Sequence, residues 1–278
     1  MVVTKRILFD SFKTNTSGNG NPSGLGGSSG HGGALYLYGD VELDLANCSF
    51  YSNNAGYPQD SVWGGNGGAI YFDQLTAEGH IGYSTFANNA AGLNWSDESY
   101  HGTGGHFYFN DMDPGATQTI RASILTDGRA SSTIGFSGSQ CAGTAYGFVS
   151  GGYNLLGDLT GCNLTPLASD HVLTGFEGSG VAGVEDMGGP VPVAYLYYES
   201  PAMNLVPYGM ADCGTNMITD ARGMSRQQGS ACEAGAYEQG MPVGFTILSG
   251  NNQRKTTGTD FDALASRLLD EIGGPLHS

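Results

Sequence analysis

Hydrophobic and polar residues alternate along short stretches of this chain, and the stretches recur at a nearly constant spacing. Val41–Leu45, with the sequence VELDL, is a clear case. Alternation with a period of two is typical of a β-strand that buries one face. No amphipathic pattern of crossover-helix length separates the stretches. The pattern therefore predicts an all-β chain of many short strands.

A six-residue segment occurs four times in the first half of the chain. The copies read DSFKTN (10–15), CSFYSN (48–53), STFANN (84–89) and ASILTD (122–127), and their third positions, Phe12, Phe50, Phe86 and Ile124, are 38, 36 and 38 residues apart. A Gly-Gly segment recurs half a period away at residues 32–37, 67–72 and 104–109. Strands stacked at a fixed period without intervening helices require a β-solenoid. The repeat predicts a single-stranded parallel β-helix with coils of 36–38 residues up to about residue 128.

Two motif sets resemble known bacterial repeat proteins. The phrase GGAIYF (67–72) followed by STFANNAAG (84–92) resembles the repeat of polymorphic outer-membrane proteins. The later half resembles choice-of-anchor Q domain proteins through SQC (139–141), GGYNL (151–155), GGP (188–190), SPAM (200–203), TDARG (219–223) and CEAGAYE (232–238). The resemblance covers roughly residues 7–240. It implies a right-handed β-helix of the pectate-lyase-like class, secreted or anchored at a bacterial surface, often without an assigned activity.

The chain divides at about residue 240. Residues 1–240 are predicted to form the β-helix, with degenerate rungs and a cysteine-stapled closing segment after residue 128. Residues 241–278 form a C-terminal extension, in which 259–272 carries an apolar stripe at helical spacing and ends at Gly273-Gly274-Pro275. That stripe predicts an amphipathic helix that caps or covers the solenoid.

Composition narrows the function classes. The chain has 47 glycines, far above the usual share of about 7%, and its formal net charge is -16. An acidic surface disfavours nucleic acid and anionic lipid, and no apolar stretch is long enough to span a membrane. Met1–Arg6 lacks the apolar core of a signal peptide, and Ile7–Phe12 already has the pattern of a strand, so we expect the chain to open within a repeat.

The five cysteines fit a secreted, disulfide-bonded protein. Cys141–Cys162 and Cys213–Cys232 would close loops of about twenty residues, each stabilising by roughly 3 kcal/mol, and the family resemblance places cysteines near these positions. Cys48 is left over as a buried free thiol. No spacing of cysteines and histidines indicates zinc, and no metal site is predicted from them.

Two columns of side chains follow from the repeat. A polar ladder is predicted where Asn15, Asn53, Asn89 and Asp127 stack at one turn. The Gly-Gly strands place an outward column at Tyr36, Tyr71 and Tyr108, flanked by Asp73 and Asn110. Exposed tyrosines are a surface on which sugar rings pack. Three interpretations stay open: a column covered by a loop or the helix, a polysaccharide groove, and a protein interface.

Departures from the repeat are where function is expected. His106 replaces the alanine of the two earlier Gly-Gly segments and is expected on the outward face. The candidate catalytic set around it is His106, His101, Asp111, Asp113 and Glu98. These groups could act as general acid and base, and the carboxylates could bind Ca²⁺; no other cofactor is predicted.

Asp220, Arg222 and Arg226 resemble a catalytic group, but we interpret them as a buried ion pair that orders the final turn.

The leading hypothesis is a non-catalytic extracellular module for adhesion, display or end-to-end assembly, with a polysaccharide or another surface ligand as partner. The alternative is a carbohydrate-active or ester-cleaving hydrolase or lyase with its site around His106.

Overall fold

The fold was analysed in a computed structural model of the chain. It describes residues 2–20, 29–58, 63–93, 101–130, 140–144, 148–174, 177–226, 228, 230–240, 242–249 and 265–270, the last two ranges as backbone only. The described residues form an all-β protein built on three parallel sheets.

Successive strands of the repeat fall into three sheets that form the walls of a solenoid. The first sheet contains β1 (Val3–Leu8), β4 (Val41–Ala46), β7 (Gly79–Gly82), β10 (Gln118–Arg121) and β13 (Phe148–Ser150). The second contains β2 (Ser11–Lys13), β5 (Ser49–Tyr51), β8 (Thr85–Ala87), β11 (Ile124–Thr126), β14 (Leu155–Leu156) and β15 (His171–Val172). The third contains β3 (Leu35–Tyr38), β6 (Ile70–Asp73), β9 (Phe107–Asn110) and β12 (Cys141–Gly143). The predicted parallel β-solenoid is confirmed.

Inward side chains of the three sheets form one continuous core. Its aromatic part is a stack in which the ring centroids of Phe12 and Phe50 are 4.5 Å apart and those of Phe50 and Phe86 4.7 Å apart. Phe72 and Phe109 stack in the same way from the third sheet, at 5.0 Å. Stacking of like residues between coils holds the strands in register, because a slip of one residue would turn every inward side chain outward.

Glycine backbone forms a second axial column, at the corner where the chain leaves the second sheet and returns toward the third. Each amide in this column donates to a carbonyl of the glycine beneath it over 2.6–2.9 Å. The column runs through Gly18, Gly30, Gly56, Gly65, Gly92 and Gly102. A Cβ atom on Gly65 would lie 1.8 Å from the carbonyl oxygen of Gly30, so no larger residue fits there.

The closing segment, residues 177–226, 228 and 230–240, folds back onto the outward face of the second sheet. The amide of Ala194 donates to Ser49 Oγ over 3.2 Å, and that of Ala236 donates to Thr85 Oγ1 over 3.0 Å. A second apolar cluster fills this contact. The segment carries β16 (Val181–Glu185), β17 (Val193–Leu196), β18 (Val206–Pro207) and β19 (Ala231–Cys232), which form two antiparallel pairs.

The disulfides Cys141–Cys162 and Cys213–Cys232 are both present, and Cys48 is a buried free cysteine, as predicted. Burial raises the pKa of the Cys48 thiol to about 12, so it stays protonated.

The predicted helix 259–272 is wrong where it can be examined. Ala265–Asp270 forms strand β21, paired antiparallel with β20 (Pro242–Ser249); the rest of the predicted helix lies outside the described residues. The partner strand is rich in β-branched and aromatic residues, and its backbone supplies hydrogen bonds that the isolated stripe could not reveal. A tertiary pairing has overridden a local helical pattern.

Replacing Gly65 with Ala should lower the free energy of unfolding by about 3 kcal/mol, because the new Cβ must displace backbone of the neighbouring coil. Gly18→Ala is the matched control, since it lies in the same column with no atom within 4 Å of its Cβ position. That variant should change stability by less than about 1 kcal/mol. Urea denaturation measures both, and equal stabilities would contradict a steric requirement for glycine.

Candidate functional site

His106 lies inside the solenoid, contrary to the expectation that it faces outward. The cause is a bulge at each Gly-Gly segment, where two consecutive amides share one acceptor. The amides of Ala69 and Ile70 both donate to the carbonyl of His106, over 3.0 and 2.9 Å. Alternation stops at such a bulge, so that His106 and the following Phe107 both turn inward and neither retains exposed surface.

The imidazole of His106 ends the asparagine ladder. The amide Nδ2 of Asn15 donates to Asn53 Oδ1 over 2.8 Å, and Nδ2 of Asn53 donates to Asn89 Oδ1 over 2.9 Å. Asn89 Nδ2 lies 3.0 Å from His106 Nδ1, and His106 Nε2 lies 2.8 Å from the Thr126 carbonyl. An imidazole that accepts at Nδ1 and donates at Nε2 satisfies both contacts as the neutral tautomer. Burial lowers the pKa of His106 to about 3, although the Thr126 carbonyl opposes the shift.

Asp127 is not part of this ladder, and the predicted alignment of the fourth copy is wrong by one residue. Phe86 pairs with Leu125 rather than Ile124, so Gly128 stands above Asn89. The Gly128 Cβ position is 3.1 Å from the His106 ring, which therefore occupies the space of a fourth asparagine. The displaced Asp127 carboxylate accepts a hydrogen bond from Ser179 Oγ over 3.1 Å instead.

The structure does not place the described candidates His106, Asp111 and Asp113 on one face. His101 precedes β9, whereas the exposed Asp111 and Asp113 follow it, and the buried His106 faces the interior. Five extended residues from His106 to Asp111 span about 17 Å. Glu98 lies outside the described residues. Asp113 Oδ1 accepts the Gly115 amide over 2.9 Å within its own turn.

The predicted ligand-binding residues do share one face. Tyr36, Tyr71 and Tyr108 pair in register, and successive ring centroids are 5.1 Å apart with interplanar angles of 7° and 9°. Face-to-face stacking covers the middle ring, so Tyr71 is 6% exposed whereas Tyr36 is 51% exposed. The tyrosine stack therefore presents the Tyr36 ring and part of the half-buried Tyr108, with Tyr71 buried between them.

A polar group lies beside the tyrosine stack. The Asp73 carboxylate accepts a hydrogen bond from the Tyr36 hydroxyl and another from Asn110 Nδ2, the latter over 2.7 Å. The hydrogen bond to Asp73 is the main cause that raises the pKa of Tyr36 to about 12. Three successive coils are thus joined by side-chain contacts across the outward face, which fixes the hydroxyl and amide groups that a ligand would meet.

His31 is a member of this face that the sequence reasoning missed. Its ring stacks on Tyr71 with centroids 4.5 Å apart, and its Nδ1 accepts the Asn66 amide over 3.0 Å. Asn66 Oδ1 in turn accepts the Thr103 amide over 2.8 Å. The three residues each precede a Gly-Gly pair, and this shared position in the repeat is the signal that could have found them. Burial lowers the pKa of His31, opposed by the nearby Asp73 charge.

The cluster around Asp220 and the two arginines is buried, as predicted. Arg222 forms an ion pair with Asp220 at 2.8 Å, and Arg226 Nη1 donates to Glu238 Oε2 over 3.2 Å. Arg226 also donates to Asn47 Oδ1 over 2.7 Å, which ties the closing segment to the solenoid.

A proton on Glu238 would make the charges of this cluster balance. The Glu233 backbone amide donates to Glu238 Oε2 over 3.1 Å, and burial together with the Glu233 charge raises the pKa of Glu238. A protonated Glu238 leaves two carboxylates, Asp220 and Glu233, facing the two arginine cations. The buried cluster is then electrically neutral, as burial of ions requires.

Comparison with protein-family models, curated proteins and solved structures gave no match. The family resemblance therefore depends on the sequence motifs alone. Among the described residues, no helix is long and apolar enough to cross a membrane. In the same part of the chain, no three His, Cys, Asp or Glu side chains are grouped as metal ligands would be.

Replacing His106 with Ala, the residue at the equivalent positions 34 and 69, should cost roughly 2 kcal/mol at neutral pH, because it leaves a cavity and an unpaired carbonyl. The wild-type protein should then lose stability as the pH falls below about 6.5, where the unfolded chain binds a proton that the folded imidazole refuses until about pH 3. The wild-type advantage should shrink by about 1.4 kcal/mol per pH unit. Chemical denaturation between these pH values tests this, and a pH-independent difference would contradict it.

Glu238→Gln should stay within about 1 kcal/mol of the wild-type protein at pH 7, because an amide reproduces a protonated carboxyl group. Arg226→Met should instead lose about 3–5 kcal/mol, since it leaves buried acceptors and a buried charge without their cation. Thermal and urea denaturation of both variants give the comparison. Equal losses in the two variants would mean that Glu238 is ionised.

Proposed function

We propose that this protein is a non-catalytic extracellular β-solenoid module that adheres to a polysaccharide through the outward face of the third sheet. The observation that carries the proposal is the tyrosine stack with its hydrogen-bonded Asp73 and Asn110 on that face. Aromatic edges beside fixed hydroxyl and amide groups suit a ligand rich in C–H and O–H groups.

The spacing of the tyrosine stack supports a polymeric ligand. Ring centroids repeat every 5.1 Å along the solenoid axis. This is close to the advance of one sugar residue in an extended β-1,4-linked chain. A linear polysaccharide parallel to the axis would therefore meet the exposed Tyr36 and the half-buried Tyr108, with the buried Tyr71 in the coil between them.

The outward face of the second sheet differs from that of the third, because the closing segment covers it.

Two disulfides are compatible with an oxidising, extracellular location. On these grounds and on the sequence motifs, we propose a secreted or surface-displayed, right-handed member of the polymorphic outer-membrane-protein-repeat or choice-of-anchor Q type. Because His106 is buried and hydrogen-bonded at the end of the asparagine ladder, we favour adhesion over catalysis.

Binding to a panel of immobilised polysaccharides tests the proposal. Asn110→Ala and Tyr108→Ala should each weaken binding about tenfold, a loss of about 1.4 kcal/mol. Thr119→Ala is the matched control, because Thr119 occupies an outward position of the first sheet in the same coil. Thermal denaturation must show that all three variants are folded.

Binding that survives both substitutions would contradict the assigned face. Release of sugar products, abolished in His106→Ala, would contradict a non-catalytic role. The alternative is a protein that associates end to end and binds no polysaccharide. Sedimentation of the unliganded protein detects such self-association.

A further inference from the structure

The Asp73 carboxylate is an anion at the centre of the outward face of the third sheet. It is only 9% exposed, and its described hydrogen-bond partners are the neutral Tyr36 hydroxyl and Asn110 amide. Neutral donors stabilise the carboxylate without cancelling its charge. The face therefore carries a fixed negative charge.

No described basic side chain compensates Asp73. The described ion pairs with lysine or arginine all involve other carboxylates. The lysines and arginines whose side chains are described lie on β1, on β2, on β10, after β11 or in the closing segment: Lys5, Arg6, Lys13, Arg121, Arg129, Arg222 and Arg226. The neighbouring His31 is held toward its neutral form by burial.

Other carboxylates near this face add to its negative charge. The exposed Asp111 and Asp113 follow β9, so carboxylates occur at the end of the same sheet. The whole chain carries a formal net charge of -16. A polyuronate lying along this face would meet like charge at short range, whereas a cationic polymer would be attracted.

We infer that the ligand of this face is a polysaccharide bearing protonated amino groups, recognised by the Asp73 carboxylate between the Tyr36 hydroxyl and the Asn110 amide. The inference rests on the proposed function and gives it a ligand class. An ammonium group can donate to the carboxylate lone pairs that the two neutral donors leave free. The tyrosine stack supplies the apolar contact for the ring that carries the amine.

Binding of the full chain to three soluble polymers tests the charge. The probes are chitosan with protonated amines, a neutral β-1,4-glucan and polygalacturonate, compared by isothermal titration calorimetry in one buffer. Chitosan should bind at least about tenfold more tightly than the glucan, and polygalacturonate should not bind. Raising the ionic strength from about 0.05 to about 0.5 M should weaken chitosan binding and leave glucan binding unchanged.

Asp73→Asn is the decisive variant, because the amide is isosteric and can still accept from Tyr36. It should weaken chitosan binding about tenfold more than it weakens glucan binding. Glu199→Gln is the control, since it removes one charge from an exposed position in the closing segment.

The outcomes separate the two proposals. Equal affinity for chitosan and glucan, or equal losses in Asp73→Asn and Glu199→Gln, overturns the charge inference but keeps polysaccharide binding. Tight binding of polygalacturonate overturns it as well. Absence of binding to all three polymers overturns the proposed function itself.

Discussion

The close approach of glycine backbone at one corner is the constraint on which the rest of this solenoid depends. Gly30, Gly56 and Gly65 touch along the axis at distances that no Cβ atom allows. Because the departing and returning segments of each coil meet there, each coil closes at the same corner. The strands on either side then repeat in register although the sequence spacing varies.

Register, once held, makes like residues stack. The phenylalanines inside, the asparagines at the turn and the tyrosines outside each form axial columns from the same alignment. The fourth coil breaks this alignment by one residue, and the column of asparagines would end over an empty space at Gly128. The imidazole of His106 fills that space and keeps the backbone carbonyl of Thr126 bonded. The presence of His106 where the earlier coils have alanine therefore has a structural explanation.

The repeat predicts the solenoid, the three asparagines of the ladder, the tyrosine stack and the two disulfides, because each depends on periodicity or on chain separation alone. It fails where one hydrogen bond changes the period. The shared acceptor at each Gly-Gly segment turns His106 inward. The fourth copy is shifted by one residue in register, and the sequence does not show this because Ile124 and Leu125 are both apolar. Likewise Ala265–Asp270 has a helical stripe but pairs as a strand. Such effects depend on which backbone groups meet in space, which no local pattern records.

The two outward faces show how one repeat can serve two purposes. The second sheet presents small and hydroxyl side chains such as Ser49 and Thr85, which accept backbone amides of the closing segment and allow it to pack closely. The third sheet presents stacked tyrosines beside Asp73, which accepts from the Tyr36 hydroxyl and the Asn110 amide, so that these groups are already ordered in the described structure. Ordering before contact lowers the entropic cost of binding. Under the proposed function, a face built in this way suits a repeated ligand without rearrangement, and the Asp73 carboxylate favours a ligand that carries positive charge.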